Sequence, residues 1–172
     1  MVLHIPHPCQ SSFFAEHLSF KLRDQILYFA SQQIVKFTKN TMLRTIFKGK
    51  IHRARVTQLD LNYHGSITID QDLIEAVGIW HNERVQIVNA NNGARLETYV
   101  IAGKCGSRVI GLNGPAARLA MPGDIVSIIA YGIADEQEAR TLKPKVILLN
   151  ANNEVIEKHD ILSQDESLAS HH

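Results

Sequence analysis

The side chains able to do chemistry gather in turns and at strand ends: Lys50, His52, Tyr63, Gly65-Ser66, Arg95, Thr98, Tyr99 and Asn113-Gly114. Arg95 presents a planar fork that grips a carboxylate through two N–H groups, and Lys50 presents a point charge. A phenol such as Tyr99, with an unperturbed pKa of about 10, holds a proton at neutral pH and can donate it. Asn113-Gly114, followed by Pro115-Ala116, offers an amide and free backbone groups to hold a carbonyl or carboxylate. Each residue also has an ordinary reading. A lone Lys or Arg is a solvated charge, Tyr99 a cross-strand aromatic, Thr98 a good strand former, and Gly-Ser a turn. His52 reads first as a structural hydrogen-bonding residue.

These residues need elements to place them. From Leu43 onward the chain consists of short β-branched runs separated by Gly, Asn, Asp and Pro. Thr45–Lys50, Arg53–Gln58, Ser66–Ile69, Arg84–Asn89, Ala94–Ile101, Arg108–Leu112 and Val146–Leu149 read as strands. Ile125–Tyr131 is nearly all apolar and reads as a strand buried on both faces. Asn91-Asn92-Gly93 supplies the positive φ of a tight hairpin. Asp70 suits the N-cap of a helix over Gln71–Val77, with Gly78 at its C′ position. Ala116–Leu119 reads as a helical turn, and Asp135–Leu142 as a helix stopped by Pro144. Many short strands with few helices predict a small closed barrel, since closure removes exposed edges. Walker A, GxGxxG, HExxH and GxSxG patterns are absent. By default such a barrel is a binding module.

Composition divides the chain. All ten glycines follow residue 41, whereas five of the six Phe precede it. Residues 158–172 are polar and read as a flexible tail. Eighteen Lys and Arg face seventeen Asp and Glu, so no net field draws the chain to nucleic acid or anionic lipid. Cys9 and Cys105 make no disulfide framework and lack zinc-site spacing, which fits a reduced cytoplasmic protein. His4, His7 and His17 are irregularly spaced without a carboxylate or Cys cluster, so no metal site is expected.

Residues 1–41 admit three readings. Leu18, Leu22, Ile26, Phe29 and Phe37 recur at roughly helical spacing, which suits an accessory helix. A membrane-surface helix fits less well, because the polar face is not strongly basic. The third reading makes Met42 the native first residue, with the upstream segment outside the working protein.

In order along the chain, several segments resemble the pyruvoyl-dependent aspartate decarboxylases. They begin with Met42-Leu43-Arg44-Thr45, Gly49-Lys50-Ile51-His52-Arg53 and the run from Tyr63 to Asp70. Asn92-Gly93-Ala94-Arg95-Leu96-Glu97-Thr98-Tyr99, Gly106-Ser107 and Asn113-Gly114-Pro115-Ala116-Ala117-Arg118 follow. Pro122-Gly123-Asp124 and Glu138-Ala139-Arg140 complete the series. Single items are weak, but the ordered series is specific. Residues 1–41 have no counterpart in it.

The resemblance implies a six-stranded double-psi β-barrel over residues 42–157. It also implies self-cleavage between Gly65 and Ser66, which converts Ser66 into a covalent pyruvoyl group. Gly65, without a side chain, would allow strained backbone and open its carbonyl to attack. Thr98 would polarise that carbonyl, and Tyr63 would orient the loop. The pyruvoyl ketone would form a Schiff base with L-aspartate and accept the electrons released with CO2, giving β-alanine for pantothenate synthesis. Lys50, Arg95, Thr98 and Asn113 to Ala116 would bind substrate, and Tyr99 would protonate the carbanion. The implied assembly is a homotetramer of processed α and β chains with sites between subunits. A maturation or regulatory protein stays open as a further partner; nucleic acid and membrane do not.

Departures are Asn62, where some relatives carry His, and Val88 and Ser127, where some carry bulkier apolar residues. Cys105-Gly106-Ser107 is a second Gly-Ser site whose flanks do not match. On a regular strand Arg95 and Tyr99 share one face and Thr98 takes the other. Either the strand is bulged or ends there, or its two faces line sites shared with a neighbouring subunit. The resemblance favours the shared sites. The competing function is a catalytically inactive barrel serving as a binding or scaffold module, which would need none of Lys50, Gly65, Ser66, Arg95, Thr98 and Tyr99.

Overall fold

The computed structural model describes residues 42–160, together with Gln25, which is helical. The chain divides into two compact units, Met1–Thr41 and Met42–His172. Apart from Gln25, the first unit's proposed helix lies outside the described residues.

Among the described residues nine strands form one sheet. They are β1 Arg44–Arg55, β2 Gln58–Asp60, β3 Ser66–Asp70, β4 Arg84–Asn89, β5 Arg95–Gly103, β6 Ile110–Asn113, β7 Ile125–Ala134, β8 Lys145–Leu149 and β9 Val155–Asp160. Helix α1 spans Gln71–Ala76, α2 spans Glu136–Thr141, and Gly114–Leu119 is a 3-10 turn. The sheet order is β2-β6-β3-β5-β4-β7-β1-β8-β9. Because β1 runs directly into β2, the two ends of β2-β6-β3-β5-β4-β7-β1 belong to one continuous segment. The sheet therefore closes into a six-membered barrel, and β8 and β9 extend it outside. Val56 N–H donates to Asp124 C=O (2.9 Å) and Thr57 N–H to Ile110 C=O (2.8 Å), sealing the seam. The pairs β2/β6 and β3/β5 are parallel.

Period-two alternation fills the barrel. Ile51, Ile67, Ile69, Val100, Leu112 and Ile128 are fully buried among the core residues. The Asn-Gly hairpin forms as expected: Gly93 has φ +74° and Asn89 N–H donates to Ala94 C=O at 2.9 Å. Asp70 caps α1 through Asp72 N–H at 3.0 Å, and Gly78 has φ +67°. Asp135 and Glu138 form a capping box at α2.

Three expectations change. Thr45–Lys50 and Arg53–Gln58 are not separate strands: β1 runs through both as far as Arg55. Its register shifts between Ile51 and Ala54, and Arg53 sits at φ +60°, so an extra residue bends the strand without ending it. β7 is not buried on both faces. Val126, Ile128 and Ala130 enter the core, while Tyr131 and Ile133 are exposed, because both flanking strands leave the outer face open. The polar tail yields its first residues to β9, which runs to Asp160. Asn153 at φ +57° turns the chain back onto β8.

Candidate active site

Ser66 opens β3 and is fully buried. Its register partner on β6 is Asn113. Asn113 Nδ2 donates to Ser66 Oγ at 2.8 Å and to Thr68 Oγ1 at 2.9 Å, and Asn113 is itself buried. Ser66 Oγ lies 3.4 Å from His64 C=O. The serine hydroxyl beside Gly65 is therefore fixed by a neighbouring strand.

Gly65, Leu96, Glu97, Thr98, Pro115, Ala116 and Leu119 line a cavity of about 300 Å3. Gly65 and Thr98 thus share one space. Tyr63, 48% exposed, stands in the loop before it. Gly65 lies outside the left-handed region, and a Cβ on it would meet only Pro115 Cδ, at 3.4 Å. The positive φ belongs instead to Gly114, at +60°.

The other Gly-Ser pair differs in kind. Ser107 is exposed, and its hydroxyl accepts only from Val109 N–H, at 3.4 Å. Gly106 N–H is taken by Asp70 Oδ1 at 3.1 Å. Cys105 is exposed, and its thiol is raised in pKa by desolvation and by Asp72.

The β4/β5 register is regular: Val88 opposes Arg95, Gln86 opposes Glu97 and Arg84 opposes Tyr99. No bulge turns β5. Thr98 points inward, whereas Arg95 and Tyr99 lie on the exposed outer face. β7 continues the rows, with Ser127 opposite Val88 and Ile129 opposite Gln86, and Lys50 on β1 opposes Ile129. Lys50 therefore shares the outer face with Arg95 and Tyr99, three strands from β5. At roughly 4.8 Å per strand, that is about 14 Å. Among the described residues neither Lys50 nor Arg95 is in an ion pair; Arg84 pairs with Glu97 instead. The structure thus gathers Gly65, Ser66, Thr98, Asn113, Pro115 and Ala116 into one place and leaves Lys50, Arg95 and Tyr99 on another face.

Two of the departures meet on that face. Ser127, the partner of Val88, lies with its Oγ 3.0 Å from His52 Nδ1. Burial, then the charges of Lys50 and Arg53, hold the His52 pKa below its ordinary value. The hydrogen-bonding role expected of His52 has its partner, which the spacing of residues 52 and 127 gave no means to find. Among the described residues no group of three or more His, Cys, Asp or Glu could hold a metal ion. Nor is any helix there long and apolar enough to cross a membrane.

Aspartate decarboxylase, as a family, matches residues 42–156. This chain belongs to the aspartate decarboxylase family. An aspartate 1-decarboxylase of Bacillus licheniformis is 60% identical over 116 residues, which cover 67% of this chain and 91% of the relative. One of Clostridium beijerinckii is 63% identical over 116 residues, covering 67% and 94%. One of Moorella thermoacetica is 61% identical over 114 residues, covering 66% and 89%. Everything the barrel needs from Met42 to β8, including the buried Ser66–Asn113 pair, falls within the family match. The membership identifies the chain as a decarboxylase rather than a scaffold barrel.

Proposed function

We propose that the chain converts L-aspartate to β-alanine and CO2 with a pyruvoyl group made from its own Ser66. The observation that carries this is the Ser66 hydroxyl, buried beside Gly65 and held by Asn113 Nδ2 at 2.8 Å in a member of this family. A buried serine so held is poised for work inside the chain. The hydroxyl attacks the Gly65 carbonyl carbon, the Gly65–Ser66 C–N bond breaks, and the hydroxyl proton ends on the freed amine. Attack within one turn avoids the cost of encounter, worth up to about 7–11 kcal/mol in ideal cases. Thr98, on the cavity that Gly65 lines, is placed to steady charge growing on that carbonyl oxygen. Loss of the Ser66 α-proton then expels the Gly65 carboxylate, and water releases ammonia.

The products are a β chain ending at Gly65 and an α chain beginning at position 66. The site suits the group. Asn113 keeps its amide donors beside position 66, and Gly114 adds no side chain there. When formed, the pyruvoyl ketone supplies the sink for the electron pair left by the departing carboxylate. The protein's own residues do the rest. Lys50 and Arg95 bind the two carboxylates, Tyr99 delivers a proton to the carbon that lost CO2, and Asn113 to Ala116 hold the reacting end. Tyr63 orients the loop.

In one chain Lys50, Arg95 and Tyr99 lie on the outer sheet face while Ser66 is enclosed. That separation supports working sites completed between copies, as in a homotetramer of processed chains. On this reading its β-alanine feeds coenzyme A precursor synthesis, and the enzyme works in the cytoplasm. Residues 42–157 form the decarboxylase domain, with residues 1–41 an extension outside it.

The test is CO2 release from L-aspartate by three chains. The unaltered chain should release CO2 and Ser66→Ala should neither cleave nor release it. Arg95→Ala should cleave normally but lose turnover about a hundred-fold, since a charged hydrogen-bonded contact contributes up to about 3 kcal/mol. Normal turnover by Arg95→Ala would refute the binding assignment.

A further inference from the structure

We infer that Gly114 is a positioning residue for self-cleavage, because its bare backbone seats the Gly65 peptide against Ser66. This rests on the reading that the chain cleaves itself between those residues. It gives Gly114 a task before any substrate is bound.

Three observations meet at this residue. Gly114 is buried and has φ +60°, a conformation that L side chains rarely adopt. A Cβ built there would lie 2.6 Å from Tyr63 O, 2.9 Å from Gly65 N and 3.0 Å from Gly65 Cα. All three are backbone atoms of the cleavage loop, so no side-chain rotation relieves the crowding. The residue just before it, Asn113, holds Ser66 Oγ at 2.8 Å. Two consecutive residues, where β6 passes into the 3-10 turn, therefore fix both reacting partners. Asn113 places the attacking oxygen, and Gly114 sets how closely the residue carrying the attacked carbonyl can lie. Pro115 Cδ, 3.4 Å from the Cβ position of Gly65, continues the same surface.

Gly65 itself has no left-handed backbone to protect. The conformational demand of the junction thus falls across the gap, on Gly114. A methyl group there would push the loop outward by several tenths of an ångström or more. A misplacement on the scale of 1 Å is expected to slow such a reaction by about a hundred-fold.

The experiment follows cleavage of the full chain by denaturing mass spectrometry during warming, with thermal melting measured on each sample. Gly114→Ala should melt cooperatively, because the atoms it displaces lie in a loop whose residues Leu61–His64 are exposed, yet cleave about a hundred-fold more slowly. Gly49→Ala is the matched control. Its Cβ would meet a backbone oxygen at the same 2.6 Å, that of Val77, away from the loop. It should cleave at the unaltered rate.

A second variant guards against loss of folding. It carries Gly114→Ala with one glycine inserted between Asn62 and Tyr63, so that the loop can step aside. It should fold and stay whole. Cleavage at the unaltered rate by either Gly114→Ala chain would overturn the inference. So would equal slowing by Gly49→Ala. An unaltered chain that never splits would overturn the self-cleavage reading and this inference together. A splitting unaltered chain beside an equally fast Gly114→Ala chain would overturn the inference alone.

Discussion

Asn113 does two jobs with one amide, bonding both Ser66 and Thr68 from a buried position. Removing it leaves the buried Ser66 hydroxyl and the half-buried Thr68 hydroxyl without this donor. Asn113→Ala should lower stability by about 1–3 kcal/mol in urea unfolding and slow cleavage together. His52 gives a second residue-scale prediction, through pH. Its pKa is depressed below 6.5 by burial and then by Lys50 and Arg53. As pH falls through 6.5, the unfolded chain takes up the proton first, so stability drops until the folded pKa is passed. Above 6.5 both states are neutral and this contribution is full. His52→Gln should remove that part of the fall in melting temperature below pH 6.5. An unchanged profile would show that His52 contributes nothing to it. The chemistry that Arg, Lys and Tyr side chains offer was legible in the sequence. Their contacts were not: the partnership of His52 with Ser127, or of Gly114 with the loop, depends on strand register.

Among elements, β3 carries Ser66, the serine of the proposed self-cleavage, at one end and Asp70 at the other. Asp70 is buried and accepts from the N–H groups of Asp72, Gly106 and Arg108. It anchors both α1 and the loop before β6. Asp70→Ala should cost about 3 kcal/mol of stability in denaturant titration, since it removes a buried carboxylate that accepts from three backbone N–H groups. By contrast, Asp135→Ala breaks an exposed capping box at α2 and should cost about 1 kcal/mol with turnover unchanged. Elements with strong local signals were legible: the Asn-Gly hairpin, the Asp70 cap and β4 stand where spacing put them. The bulge in β1 was not, because an extra residue at Arg53 leaves the apolar pattern looking like two strands. β9 escaped for a different reason. It is an edge strand of mostly polar residues, Glu157, Lys158, His159 and Asp160, with little apolar alternation to mark it.

At the scale of the whole molecule, the barrel separates what the proposed reaction must join. Ser66 is enclosed and Thr98 is half-buried, while Arg95, Tyr99 and Lys50 stand on the outer sheet face. Closure itself was legible from many short strands, but the β1-to-β2 seam needed long-range pairing to be seen. If sites form between copies, two defective chains should repair one another. Ser66→Ala chains, inactive alone, and Arg95→Ala chains, about a hundred-fold slowed alone, should release CO2 well above the Arg95→Ala level when expressed together. No recovery would place all the working groups within one chain. The self-made pyruvoyl group remains the centre of this account, and the intact mass of the purified protein under denaturing conditions tests it most directly. The account predicts two fragments that meet between Gly65 and Ser66, the second lacking a free amine at its start. A single chain that stays whole after prolonged warming would contradict it.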